Sequence, residues 1–195
     1  MNETDAIERL AAPPSIAFVG DSITASGDWA AWLPEERVVN LGVNGDTTAA
    51  LLARIDDIIA LRPEEICLLI GTNDLGSNRS VEHLVRNIQM FLVEIRRELP
   101  GVRLLLQSIM PRSRQFADRV QEANIHLRQF AATVHARYLD LWPALAKSNG
   151  SIRPEFSDDA LHLTDAGYRA WLTELLPALD DLRDGDARVD GCEPH

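Results

Sequence analysis

Ser22 lies in Gly20-Asp21-Ser22-Ile23-Thr24, where a glycine and an acid close a short apolar run. A serine hydroxyl is a weak nucleophile near neutral pH. It needs a base within hydrogen-bond reach, and that base must be oriented by a third group. His162 is the candidate base and Asp159 the candidate orienter, in Asp158-Asp159-Ala160-Leu161-His162-Leu163. Their three-residue spacing lets one turn aim both side chains at the same place. Ser22 and His162 stand near opposite ends of the chain, so only the fold can bring them together. Attack on a carbonyl creates an oxyanion, which needs preorganised donors. Gly45, in Asn44-Gly45-Asp46-Thr47, can bring its N–H close because it lacks a Cβ. Asn73, in Gly71-Thr72-Asn73-Asp74, offers a side-chain amide. The N–H of Ser22, at a helix start, is a third donor. Asp21 is read as a support that fixes the nucleophile loop, and Asp46 as a helix cap.

Each of these motifs alone has a plainer reading. Asp-Ser is a common turn or N-cap pair, and Gly-Thr-Asn-Asp reads equally well as an Asx turn. Asp159 and His162 alone read as a solvated ion pair. Their position on the elements is what joins them. Short apolar runs at 16–19, 38–41, 66–70, 102–106 and 138–141 read as strands covered on both faces. Between them lie helical periodicities. Leu51, Leu52, Ile55, Ile58 and Ile59 share one face, which ends before Pro63. Val81, Leu84, Val85, Ile88, Phe91, Leu92 and Ile95 follow Ser80, a plausible N-cap. Val120, Leu127, Ala131 and Val134 mark a third helix. Tyr168, Trp171, Leu172, Leu175, Leu176 and Leu179 mark the last, capped by Thr164 and kinked or ended at Pro177.

Alternating strands and helices predict a single α/β domain, a flavodoxin-like three-layer α/β/α sandwich with about five parallel strands. In such a sheet, ligands bind at the carboxyl ends of the strands. Ser22, Gly45 and Asn73 follow the first three strands, and Asp159 and His162 come after the fifth. The domain is expected over 1–183, with 184–195 an acidic, disordered tail.

The sequence resembles the SGNH, or GDSL, hydrolase family. Four blocks carry the likeness: Gly20-Asp21-Ser22-Ile23, Gly45 in Asn44-Gly45-Asp46-Thr47, Asn73 in Gly71-Thr72-Asn73-Asp74, and Asp159-Ala160-Leu161-His162. The resemblance implies Ser22 as nucleophile, Asp159 and His162 as its triad partners, Gly45 and Asn73 as oxyanion donors, and ester hydrolysis without a metal or cofactor. Arg62-Pro63, Met110-Pro111-Arg112 and His162-Leu163-Thr164 before Gly167-Tyr168 are similar to the platelet-activating-factor acetylhydrolase branch and related bacterial acetylesterases. A small acetyl ester, O-acetylated sugars included, is the expected substrate. A lysophospholipase or acyl-thioesterase on the same residues is the alternative. Two weaker readings are a phosphate-binding module at residues 20–24, which lacks a Walker lysine, and a metal site built from Asp21, Asp74, Asp159 and His162.

Trp29, Ile109 and Met110 are the weaker candidates for lining the substrate site. Arg112 is read as a solvated arginine and Cys67 as core. No His/Cys/Asp set has zinc-ligand spacing. The chain has 195 residues and a net charge of −11. Its pI near 4.8 argues against nucleic-acid and anionic-membrane partners. Residues 1–12 carry Glu3, Asp5 and Glu8 without the apolar core of a signal peptide. No apolar run is long enough to span a bilayer. A cytoplasmic monomer or homodimer acting on a small-molecule ester is expected. Ser22→Ala should abolish turnover in an ester assay while the thermal midpoint hardly moves, because a loop hydroxyl adds little stability. Retained activity in the purified variant would remove Ser22 from the chemistry.

Overall fold

The computed structural model describes residues 14–187. Five strands form one parallel sheet: β1 Ile16–Gly20, β2 Val38–Gly42, β3 Glu65–Leu69, β4 Arg103–Gln107 and β5 Ala136–Leu139. Their order across the sheet is β2-β1-β3-β4-β5. Side chains alternate between two buried faces. Ala17, Val19, Ile66, Leu68, Leu104 and Leu106 enter one core, and Ile16, Phe18, Cys67, Leu69 and Leu105 enter the other. Burial of both faces is why the runs read as continuously apolar. Burial also pushes the Cys67 thiol well up.

Nine α-helices lie among the described residues: α1 Ser22–Ala25, α2 Trp29–Trp32, α3 Thr48–Ala53, α4 Ile55–Ala60, α5 Thr72–Gly76, α6 Val81–Glu98, α7 Ala117–Ala131, α8 Trp142–Leu145 and α9 Asp165–Ala187. The apolar faces of α3, α4, α6 and α7 line the first core, and those of α1, α2, α8 and α9 line the second. This is the expected three-layer arrangement. Ser80 caps α6, its Oγ accepting from the His83 N–H at 3.2 Å. Thr164 caps α9 in the same way, accepting from Gly167 N–H at 3.2 Å.

Four details differ from the sequence reading. The helix expected across 51–59 is two helices that meet at Arg54. Thr47, not Asp46, caps α3, with its Oγ1 accepting from Ala50 N–H. β5 starts and ends two residues early. Leu141 leaves the sheet because its N–H donates to Ser108 Oγ at 2.9 Å, and its side chain is fully buried. Finally, α9 does not end at Pro177. The proline and Thr173, the residue whose carbonyl loses its partner, are both exposed, so water can take that carbonyl. The helix continues to Ala187, past the expected start of the tail at 184. The rest of that expected tail, with Cys192, lies outside the described residues.

The strand order has one reversal. From β1 the chain moves outward to β2, then crosses β1 to reach β3 on its other side. The carboxyl ends of β1 and β3 therefore flank a crevice from which the chain departs in both directions, the usual ligand position in open α/β sheets. Among the described residues, no helix is long and apolar enough to cross a membrane.

Candidate functional site

The first turn after β1 is packed so tightly that its glycines are required. A Cβ on Gly20 would sit 2.2 Å from Thr24 Oγ1 and 2.3 Å from the Leu69 carbonyl oxygen. A Cβ on Gly42, at the end of β2, would meet the Ala25 nitrogen at 2.2 Å. These two positions let α1 wedge between the ends of β1 and β2. A four-residue helix has more orphan groups than internal bonds, and here most have partners. Asp21 caps the start, its Oδ1 accepting from Ile23 N–H at 3.0 Å. Tyr168 Oη on α9 donates to the Ile23 carbonyl at 2.7 Å. Trp29 Nε1 donates to the Thr24 carbonyl at 2.9 Å.

Ser22 opens this helix. Its Oγ lies 3.1 Å from His162 Nε2, and His162 Nδ1 lies 2.7 Å from Asp159 Oδ2. The second carboxylate oxygen, Oδ1, accepts from the N–H groups of His162 at 2.7 Å and Leu161 at 2.9 Å, and from Ser157 Oγ at 3.2 Å. With Asp159 accepting from Nδ1–H, the Nε2 lone pair is left for the serine proton. The turn between the two residues holds Ala160 at φ +60°, a left-handed conformation that costs energy for a residue with a Cβ. The side chains of His162 and Asp159 are 52% and 54% exposed, so the site is open to solvent.

The candidate oxyanion donors stand on the loops that follow β2 and β3. The Val43 N–H donates to the Gly20 carbonyl at 3.0 Å, and Asp46 N–H to Val43 at 3.1 Å. Gly45 takes the left-handed position of that turn, φ +79°, with open space where a Cβ would be. Asn73 donates one Nδ2 hydrogen to the Asp46 carbonyl at 2.9 Å, which keeps its amide one residue from Gly45 and frees the other hydrogen. The arrangement can deprotonate a hydroxyl, attack a carbonyl and hold the resulting oxyanion.

The model of the GDSL-like lipase/acylhydrolase family matches residues 18–170. The chain belongs to this family. Among curated proteins, this GDSL hydrolase is 25% identical over 166 residues to human platelet-activating factor acetylhydrolase IB subunit alpha1, covering 80% of this chain and 71% of the relative. A beta-subunit homolog from Drosophila melanogaster is 23% identical over 180 residues, covering 87% and 79%. A solved structure from Streptococcus pneumoniae superposes with a TM-score of 0.76 at 26% identity, over 85% of this chain and 84% of that one. The lipase/acylhydrolase from Enterococcus faecalis gives 0.67 at 28% identity, over 89% and 95%. The GDSL hydrolase is thus an ester-hydrolysing enzyme with an α/β fold.

The fold brings together Ser22, Asp159, His162, Gly45, Asn73 and Asp21. It does not bring in the weaker lining candidates. Trp29 is 2% exposed and stacks on Phe18 at 3.9 Å, Ile109 is 1% exposed, and Met110 is 3% exposed. Their area is spent on the cores. Asp46 is a clamp rather than a cap: it accepts from Arg54 Nε at 2.8 Å, while Arg54 Nη2 reaches the carbonyls of Leu41 at 2.9 Å and Gly20 at 3.3 Å. The acids of the conjectured metal site are engaged separately. Asp74, fully buried, accepts from Thr48 N–H at 2.9 Å and Thr48 Oγ1 at 2.6 Å. Among the described residues, no three His, Cys, Asp or Glu side chains gather as a metal site would need. The sequence reading missed Tyr168, Arg54 and the Asp74–Thr48 pair as supports, since their partners lie far along the chain.

Two carboxylates are driven in opposite directions. The hydrogen bond from His162 leads in holding Asp159 far below the ordinary carboxylate range, with help from the two backbone N–H groups. Burial pushes Asp21 up to about 6, partly offset by the Ile23 N–H and the charge of His162. The folded protein therefore holds the Asp21 proton more tightly than the unfolded chain, whose value is near 3.8. That contribution is complete below pH ~4 and is lost as pH rises through 6. Asp21→Asn keeps an acceptor for Ile23 N–H and removes the ionisation. Its thermal midpoint should match the wild type near pH 4 and exceed it at pH 7, by the equivalent of about 2–3 kcal/mol. Midpoints that run parallel across this range would show that Asp21 is not buried as an acid.

Asn73→Ala should lower kcat by about 10²–10³, the usual loss for one oxyanion donor. KM should change far less, because the donor meets charge that exists only in the transition state. A raised KM with normal kcat would make Asn73 a ground-state binding residue.

Proposed function

We propose that this enzyme hydrolyses small carboxylic esters, acetyl esters foremost and O-acetylated sugars among them, through an acyl-serine intermediate. The observation that carries the reading is the continuous contact from Ser22 Oγ to His162 to Asp159, open to solvent where the strand order reverses. His162 Nε2 takes the Ser22 proton as Oγ attacks the carbonyl carbon. The N–H groups of Gly45 and Ser22 and the free Asn73 amide hydrogen receive the oxyanion. His162 then gives its proton to the departing alcohol. In the second half a water replaces the alcohol, His162 takes its proton, and the acid leaves with Ser22 restored.

Two observations favour a short acyl group. Ile109 and Met110, the apolar side chains after β4, are buried in the cores and offer no groove. Among the described residues, Val43, 42% exposed, is the one large apolar side chain bared on the loops that follow the strands. Each methylene of an acyl chain gains about 0.8 kcal/mol only where there is apolar surface to bury it against. The curated relatives named as acetylhydrolases support the same reading. It predicts that kcat/KM for p-nitrophenyl esters, from two to twelve carbons below micellar concentrations, is highest for acetyl and propionyl. Ser22→Ala serves as the control. A steady rise with chain length would favour a lysophospholipase or acyl-thioesterase instead.

A further inference from the structure

Arg112 was expected to be solvated, and it is not. It follows β4 through Pro111, and its carbonyl accepts from Ile152 N–H at 3.0 Å. Its guanidinium carbon lies 3.9 Å over the Phe116 ring. Nη1 donates to the Thr72 carbonyl at 3.0 Å and to Thr72 Oγ1 at 3.3 Å, one residue before Asn73. Gly76 leaves room for this approach, since a Cβ there would come within 3.3 Å of Nη1. Nε is buried and has no acceptor. Among the described residues Nη2 has no hydrogen-bond partner either, and it is not among the buried atoms as Nε is.

Among the described residues no carboxylate lies within ion-pair distance of this half-buried cation, whereas Arg54, Arg103 and Arg183 are each paired with an acid. Desolvation lowers its pKa, while Asp159 and Asp21 are the charges that act on it most; with Nη1 on Thr72, beside Asn73, the guanidinium stands at the rim of the Ser22 site. A partly desolvated charge without a counter-ion is costly, and a guanidinium stacked and tied at one nitrogen is preorganised to meet an anionic oxygen at the other. The net charge of −11 disfavours anionic substrates at long range. Salt screens that field beyond about 8 Å, so a cation beside the reacting bond decides.

We propose that Arg112 is a specificity-determining residue whose free Nη2 binds a carboxylate or phosphate on the alcohol half of the ester. The inference rests on the acetyl-ester reading, which leaves the alcohol as the half that can carry charge.

The test compares glycerol monoacetate with its phosphorylated counterpart, an acetyl ester of glycerol phosphate, alongside p-nitrophenyl acetate. The quantity read is the ratio of kcat/KM for the anionic ester to that for the neutral one. In the wild type this ratio should exceed the ratio in Arg112→Gln by about tenfold or more, the scale of one charge-assisted hydrogen bond. Arg112→Lys should retain part of it, and added salt should reduce it. Loss of the Thr72 brace slows both esters together and cancels in the ratio. An equal ratio in wild type and Arg112→Gln, with p-nitrophenyl acetate still cleaved, overturns the role of Arg112 alone. Failure of the wild type to cleave any of the three esters overturns the acetyl-ester reading beneath it.

Discussion

The hydrogen bond from Tyr168 Oη to the Ile23 carbonyl joins two parts of the chain 145 residues apart, and the site depends on it. Ile23 follows Ser22 directly, and Tyr168 lies in the second turn of the helix that starts just after His162. Trp171, one turn further on, donates to Gln107 Oε1 at 2.7 Å and stands edge-on to Trp29, which itself holds the Thr24 carbonyl. Docking α9 on the sheet therefore sets the Ser22–His162 separation. Groups that satisfy a very short helix also register the two ends of the chain, so stability and geometry are coupled there.

The loops that bear Gly45 and Asn73 are held by a separate set of polar contacts. Arg54 holds the ends of β1 and β2 with one guanidinium and orients Asp46, whose carbonyl orients Asn73. Below it, Asp74 accepts twice from Thr48, and Asn87 Nδ2 donates to the same Thr48 hydroxyl at 2.9 Å. Buried acids in this region meet N–H and O–H donors rather than a second acid. These contacts hold backbone and amide positions, which suits a site whose work is to meet a charge without rearranging.

What could be read in the sequence follows from the range of each interaction. The strands were legible because burial on both faces writes an uninterrupted apolar run, as at 66–70. Ser22, Gly45 and Asn73 were legible because a strand end in this fold is marked by glycine and small polar residues. Asp159 and His162 were legible as a local pair, three residues apart. The break at Arg54 was not, because the apolar periodicity continues across it while the side chain turns to partners at positions 20, 41 and 46. Trp29 was misplaced for a related reason. Nearness in sequence to Ser22 suggested the site, but stacking on Phe18 buries the indole in a core. Arg112 was misread because its environment comes from Thr72 and Phe116, and the first of these is on another strand's loop.

In the chymotrypsin arrangement the triad aspartate is buried, whereas Asp159 is more than half exposed. Exposure alone would leave such a carboxylate free to rotate and to trade the imidazole for water. The turn prevents this by spending one oxygen on the N–H groups of Leu161 and His162 and the Ser157 hydroxyl, so that the other can point only at Nδ1. The imidazole hydrogen bond first, and then the two backbone N–H groups, also hold the acid's pKa down. The left-handed Ala160 is the local cost of that geometry. An aspartate oriented by its own backbone needs no protein above it. The site can then stay open, with little wall above the reacting bond, and discrimination among esters falls to the few side chains at its rim.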